Sequence, residues 1–266
     1  MSFTSIVKRL LSVSLFLLFS TFFLTAFFSI PQLSAQEQVP QEKQQQIQKQ
    51  VNPKQAAARK QDTSWKFEPN PKLPNVLILG DSISIGYTRN VRERLQERAN
   101  VYRPMKSETA VENCAYTAHG LENLDKYLGN TKWSVIVFNW GLHDLAYVAE
   151  KGINKQTGKQ RYPIEVYEKN LDAIVKKLKT TGAKLVWAST TLVPEGEPGR
   201  KAEDAPRYNA AAEKVMKENG IQILDLYSIT EKFTPELFTK PGNVHYSPKG
   251  YSILGEKVAE TIRENL

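Results

Sequence analysis

The chain has 266 residues, and its first 64 look unlike a folded domain, so about 200 residues remain for a single core of ordinary size. The formal net charge is +8, but seven basic and three acidic residues within 1–64 carry half of it, which leaves the rest too dilute in charge to indicate nucleic-acid binding. A single cysteine, Cys114, excludes a disulfide within the chain, and no CxxC, HExxH or GxxxxGK motif indicates a zinc or phosphate site.

The amino terminus has the pattern of an export signal. Two basic residues precede an uncharged run at 10–30, and residues 32–35 (QLSA) resemble a small-residue cleavage site. The run is long enough to span a bilayer, so residues 1–35 are predicted to be either a signal peptide or a membrane anchor. Both alternatives place the rest of the chain outside the cytoplasm. Residues 36–70, rich in Gln, Lys and Ala, are predicted to form a low-complexity tether.

The first predicted strand positions a serine. Residues Asn75 to Leu79 (NVLIL) form a short apolar run typical of a strand buried on both faces, and Gly80 ends it. An amphipathic pattern follows, so Ser82 is predicted to lie at a turn from strand to helix. Open α/β sheets bind ligands at this end of their strands, beside helix amides that can stabilise an oxyanion. A nucleophile is expected there, although Gly80-Asp81-Ser82 is equally typical of a turn that caps a helix.

Strands and helices alternate through the remainder of the chain. The patterns predict further strands at 100–104, 133–140, 184–189 and 221–226, helices at 119–128, 163–179, 208–218 and 247–265, and polar loops at 151–161 and 194–206. Such alternation is typical of a parallel sheet covered by helices on both faces. Each loop follows a predicted strand, so both loops are expected near the carboxyl ends of the strands, where Ser82 lies.

Two histidines lie where a nucleophilic serine would need partners. His245 precedes the last predicted helix, and His143 directly follows the strand at 133–140. A hydroxyl nucleophile needs a base within hydrogen-bond reach and donors for the developing oxyanion. Each histidine taken alone is as typical of a surface or capping residue, so the interpretation depends on their combination with Ser82.

Three short blocks resemble, in order and context, those of the GDSL/SGNH hydrolase family: GDSIS at 80–84, NWGLHD at 139–144 and GNVHYSPKGY at 242–251. The resemblance implies a domain at 71–266 with a flavodoxin-like, three-layer α/β/α fold around a five-stranded parallel sheet. It implies ester hydrolysis by Ser82 and His245, without a cofactor or a metal. It further implies an oxyanion hole made by the Ser82 amide, the residue at the family's glycine position and a side chain of the third family block.

The sequence departs from the family pattern at three supporting positions. In the stretch ENCAYTAHGLENL, Cys114 stands at the family's glycine position, where its backbone amide would serve as an oxyanion donor. His143 stands at the family's Asn position and would donate from a ring nitrogen. The family's Asp is Gly242 here, so Asn243 is expected to orient the imidazole without supplying a charge. Asp225, at the end of the last predicted strand, is an alternative source of that charge.

These residues predict an exported serine hydrolase that removes short acyl groups, in particular acetyl, from a small-molecule or glycan ester. The missing carboxylate leaves open a catalytically impaired protein that binds extracellular glycan, and the resemblance leaves open a lipase or lysophospholipase as well. A metal hydrolase built on His119, His143, His245 and Asp144 is a further alternative, although their spacing indicates no metal. Four aromatic residues near the blocks could stack on sugar rings or serve as packing: Tyr87, Trp140, Tyr147 and Tyr246.

Overall fold

The computed structural model describes residues 65–107 and 109–266. Within these residues the strands are β1 (Asn75–Leu79), β2 (Asn100–Tyr102), β3 (Val135–Phe138), β4 (Tyr147–Val148), β5 (Lys159–Gln160), β6 (Lys184–Ala188) and β7 (Gln222–Leu224). The helices are α1 (Ser82–Leu95), α2 (Thr117–Leu128), α3 (Ile164–Lys179), α4 (Asp204–Asn219), α5 (Leu226–Thr230) and α6 (Pro248–Asn265), with a 3-10 turn at Pro235–Leu237.

The main sheet has the strand order β2-β1-β3-β6-β7, and all neighbouring strands are parallel. Strands β4 and β5 form a separate antiparallel hairpin. Without the hairpin, the order is that of a flavodoxin-like sheet. Helices α1 and α6 pack together, while α2, α3 and α4 pack side by side. The predicted α/β fold around a five-stranded parallel sheet is therefore confirmed.

The interior strands are buried on both faces, as their sequences require. All residues from Val76 to Leu79 in β1 and from Val135 to Phe138 in β3 are buried. A strand with one solvent-exposed face would show alternating apolar and polar residues. The continuous apolar runs of β1 and β3 instead fit a sheet that helices cover on both faces. The short edge strands β2 and β7 carry fewer such residues, which explains why their bounds were harder to predict.

Several predicted boundaries were wrong for local reasons. Helix α4 begins at Asp204, earlier than predicted, because Pro206 is tolerated in a first turn, where its missing N–H costs no helix hydrogen bond. The last strand ends at Leu224, because the Asp225 side chain then caps the short helix α5. The polar loop predicted at 151–161 contains β5, which pairs with β4.

Residues 1–64 lie outside the described residues, and they hold the predicted signal or anchor and most of the predicted tether. In the described part of the chain, no helix combines the length and hydrophobicity needed to cross a membrane. The leader at 1–35 therefore stays a prediction.

The first described residues contact helix α1. The Arg89 guanidinium lies 4.4 Å from the ring centre of Trp65, and the Arg92 guanidinium lies 4.4 Å from that of Phe67. Cation–π contacts of this kind are attractive because the ring face is electron-rich. They hold the segment that precedes β1 against the domain.

Helix α2 is capped by a side chain from a distant part of the chain. The buried Asp144 carboxylate accepts hydrogen bonds from the Thr117 amide at 3.0 Å and the Thr117 hydroxyl at 2.5 Å. An acceptor there satisfies an amide that has no partner within the helix. Burial raises the pKa of the Asp144 carboxyl to about 7, and the Thr117 bonds oppose that rise. The cap fixes the segment after β3, which contains His143.

Helices α1 and α6 approach each other closely because glycines lie at their contact. A methyl group on Gly86 would lie 2.1 Å from the ring of Tyr251, and one on Gly255 would lie 2.5 Å from the Asn90 side chain. Neither distance is compatible with van der Waals contact, so the packing requires glycine at both positions. The close approach brings Ser82, at the start of α1, towards the segment that precedes α6.

We expect Gly86→Ala to lower the free energy of unfolding by about 1–3 kcal/mol, because overpacking at Tyr251 outweighs the gain of up to about 1 kcal/mol in helix propensity. Urea denaturation measures the change. In the double variant Gly86→Ala/Tyr251→Ala the two effects should be less than additive, since the clash is gone. A Gly86→Ala protein as stable as the wild type would contradict the tight contact.

Candidate active site

The turn that carries Ser82 depends on its two preceding residues. Gly80 ends β1 with φ 154°, and a methyl group there would lie 3.0 Å from the Ser84 hydroxyl, so the position needs glycine. Asp81 then caps α1, since its Oδ1 accepts the Ile83 amide at 2.9 Å. Ser82 is the first residue of α1, and its own amide has no acceptor in the part of the chain that the structure describes.

His245 joins Ser82 and Asn243 in one hydrogen-bonded series. Its Nε2 lies 2.9 Å from the Ser82 hydroxyl, and its Nδ1 lies 2.8 Å from the Asn243 side-chain oxygen. Because an amide oxygen only accepts, Nδ1 carries the proton and Nε2 is free to accept from the serine. The same Asn243 oxygen also accepts the His245 backbone amide at 2.8 Å. The ring is therefore held in the tautomer and orientation of a general base.

A carboxylate has no room at the family's acid position. Gly242 has φ 67°, and a methyl group there would lie 2.8 Å from the backbone oxygen of Gly196. The side chain one residue later, Asn243, contacts the imidazole instead. The Asp225 alternative is wrong, because that carboxylate caps α5 through Ser228 and accepts from Ser189.

The imidazole of His245 is half-buried, and burial lowers its pKa. The Asp81 carboxylate opposes this effect, while the Arg200 guanidinium adds to it. Burial likewise lowers the pKa of His143, which also faces the cations of Arg200 and Arg161. A lowered pKa keeps each ring neutral near pH 7, so His245 can accept a proton and His143 carries a single N–H donor.

His143 is fixed from both sides through its backbone. Arg161 Nε donates to the His143 carbonyl at 2.9 Å, and Arg200 Nε donates to the preceding Leu142 carbonyl at 2.7 Å. On the other side, Asp144 binds α2. The ring nitrogens of His143 have no partner within the described residues, so they remain available to a ligand.

Ser82, His143, Asn243 and His245 line one cavity of about 300 Å³. A buried ion pair forms part of its wall: Arg200 Nη1 lies 2.8 Å from Glu197 Oε1, with side chains only 8% and 5% exposed. The sequence reasoning missed this pair, since charges in a loop rich in proline and glycine normally indicate a solvated surface. No local pattern could have identified it.

The predicted oxyanion role of Cys114 is not supported by its geometry. Its amide donates to the Gly80 carbonyl at 3.2 Å, and its buried thiol has a pKa raised by burial to about 11. The neighbouring Asn113 lines the cavity instead. Because the Asn113 side-chain oxygen accepts the Ala115 amide at 2.9 Å, its NH₂ group is left as a donor. The sequence predicted Cys114 for this role, whereas the side chain that lines the cavity is that of the preceding residue, Asn113.

The residues of the metal-hydrolase alternative are not placed to hold a metal ion. Among the described residues, no group of three or more His, Cys, Asp or Glu side chains is placed to hold a metal ion. His119 Nε2 lies 3.3 Å from the Tyr127 hydroxyl, and Asp144 is occupied by Thr117. These two members of the proposed set serve the packing of α2.

The aromatic residues near the blocks serve mainly as packing. Tyr87, Trp140 and Tyr246 are almost fully buried in the core, which removes them as platforms for a sugar. Tyr147 is half-buried, and its hydroxyl donates to Asp204 at 3.0 Å.

The profile of the GDSL-like lipase/acylhydrolase family matches residues 78–253. Solved structures with the same fold include an acetyl xylan esterase, 17% identical with a TM-score of 0.56, covering 71% of this chain and 99% of that one. A lipase/acylhydrolase from Enterococcus faecalis is 18% identical with a TM-score of 0.59, covering 73% and 97%. A mutant acetyl-xylooligosaccharide esterase from Geobacillus is 15% identical with a TM-score of 0.56, covering 71% and 94%. No curated protein matches the sequence.

We expect the pKa of His245 to lie below its ordinary value and to be higher in Asn243→Asp than in the wild type, because a carboxylate beside the ring stabilises imidazolium. Titration of the imidazole C–H resonances by NMR measures both values. The matched control is Asn154→Asp, since Asn154 also accepts a backbone amide two residues on but contacts no histidine. An unchanged His245 pKa in Asn243→Asp would contradict the contact.

Proposed function

This chain belongs to the GDSL-like lipase/acylhydrolase family, and from that premise we propose that it hydrolyses carboxylic esters with Ser82 as nucleophile and His245 as general base. The observation that carries the proposal is the hydrogen-bonded series from Asn243 through His245 to Ser82, at 2.8 and 2.9 Å. A nucleophile, a base and a group that orients the base are the parts that acyl transfer requires.

In the first half-reaction, the Ser82 oxygen attacks the ester carbonyl while His245 Nε2 takes the hydroxyl proton. The carbonyl oxygen becomes an oxyanion, to which the free Ser82 amide, the His143 ring and the Asn113 NH₂ group can donate. His245 then protonates the departing alcohol, leaving an acyl-serine. In the second half-reaction, His245 activates a water that releases the carboxylic acid and restores Ser82.

Asn243 orients the base but supplies no charge to the imidazolium that forms. In serine proteases, replacing the triad Asp by Asn reduces turnover about ten-thousand-fold, largely because the imidazole takes the wrong tautomer. Here the Asn243 oxygen faces Nδ1, so the tautomer is correct, and the buried Asp81 provides a negative charge near the ring. We therefore propose an active enzyme.

We propose short acyl groups on carbohydrate, acetyl in particular, as the substrate. The cavity is small and partly lined by charged and amide side chains, which suits a compact ester on a polar alcohol better than a long acyl chain. Two of the structural neighbours are described as esterases of acetylated xylan or xylo-oligosaccharides, which supports a carbohydrate ester, while the lipase/acylhydrolase neighbour keeps a lipase as the alternative. We also propose action outside the cytoplasm, on the basis of the leader predicted from the sequence at 1–35, with anchoring through residues 10–30 as an alternative.

One observation favours a second candidate, a glycan-binding protein without turnover: Gly242 stands at the family's acid position and leaves no room for a side chain there. Under that alternative the protein would bind acetylated oligosaccharides, and wild type and Ser82→Ala would leave them equally intact.

We expect Ser82→Ala to lower kcat/KM for p-nitrophenyl acetate at least about a thousandfold, since the variant lacks the nucleophile. Release of p-nitrophenol measures the rate. The control is Ser252→Ala, which removes a hydroxyl of α6 that binds Arg94 instead of His245, and it should retain wild-type activity. Equal rates for wild type and Ser82→Ala would refute the proposal.

A further inference from the structure

A second cleft, of about 350 Å³, lies beside the catalytic cavity. Its lining includes four charged residues, Lys155, Glu195, Lys201 and Glu203, together with Gln156. The same two segments of chain line both spaces. Ile153, Glu197 and Arg200 face the catalytic cavity, and their near neighbours at 155–156, 194–196 and 201–203 face the second cleft. The two spaces therefore adjoin along these segments, which form the wall between them.

The wall is a formed part of the structure. The Tyr147 amide donates to the Gly199 carbonyl, and the Lys155 amide donates to the Pro198 carbonyl, both at 2.9 Å. Ile153 packs on Gly199 so closely that a methyl group there would lie 2.6 Å from the Ile153 side chain. The buried pair of Glu197 and Arg200 holds the interior of the loop. A ligand crossing the wall would meet a surface that is already ordered, which lowers the entropy lost on binding.

The chemistry of the second cleft fits hydroxyl groups. Two ammonium groups and an amide NH₂ can donate, and two carboxylates can accept, whereas a sugar hydroxyl does both. The two positive and two negative side chains balance, so nothing favours a strongly charged polymer. Among the described residues that line it, the apolar side chains are Pro194 and Ala202, so a long acyl chain would gain little from entering it.

We propose that the second cleft binds a neighbouring sugar residue of an acylated oligosaccharide whose ester lies against Ser82. This inference rests on the proposed function, because it assumes that the ester is hydrolysed in the first cavity. It adds that the substrate is a chain of sugars rather than a single one, and it assigns chain recognition to the loop at 194–203 and the loop that joins β4 to β5.

The test compares acetylated xylose with acetylated xylotetraose of the same acetyl position. We expect the wild-type KM to be about tenfold lower for the tetramer, as two or more additional hydrogen bonds would give. Lys155→Ala/Glu195→Ala should raise the tetramer KM to that of the monomer, while kcat and the hydrolysis of p-nitrophenyl acetate stay unchanged. The matched control is Glu150→Ala/Lys151→Ala, an exposed pair of opposite charges that lines neither cavity.

Binding to an inactive protein separates this inference from the proposed function. Calorimetry measures the Kd of acetylated xylotetraose for two inactive proteins, Ser82→Ala and the triple variant Ser82→Ala/Lys155→Ala/Glu195→Ala. We expect the Kd of the triple variant to be about tenfold higher. Equal wild-type KM values for monomer and tetramer, or a Kd that the added pair leaves unchanged, would overturn the second cleft while ester hydrolysis stands. A wild type that binds the tetramer through these residues but hydrolyses no ester would refute the proposed function alone.

Discussion

The contact between helices α1 and α6 is the constraint on which the site depends. Ser82 and His245 are 163 residues apart, yet their side chains lie 2.9 Å from each other. Each stands at or just before the start of one of these helices, so their separation is set by how closely the helices pack. Gly86 and Gly255 allow that approach, because any larger residue would meet Tyr251 or Asn90. The packing of the core therefore positions Ser82 and His245 next to each other.

The site also shows how an acid can be replaced without losing the geometry it supports. The loop at 194–203 reaches the backbone of Gly242, where a side chain would collide with Gly196. Asn243 then takes over the hydrogen bond to His245, and Asp81 remains the nearby buried charge. The same loop forms the wall of the cavity through its buried ion pair. The collision at Gly242 and the wall of the cavity thus depend on the same loop.

Much of this could be predicted from sequence, because the signals were local. Apolar runs indicated β1 and β3, and the motifs around Ser82 and His245 indicated that the two would meet. Long-range contacts left no pattern in the sequence. Three features depend on tertiary packing: Asp144 caps α2, Arg200 is buried, and Asn113 rather than Cys114 lines the cavity. A resemblance identifies positions in a block, but only the fold decides which neighbouring amide faces the cavity.

Covalent labelling of the serine tests the central claim most directly. Treatment with diethyl p-nitrophenyl phosphate, followed by peptide mass spectrometry, should place one diethylphosphoryl group on Ser82, with one p-nitrophenol released for each chain. His245→Ala should slow this labelling by orders of magnitude, because the base that accepts the Ser82 proton is lost. An unlabelled Ser82, or labelling at the same rate without the imidazole, would contradict the account.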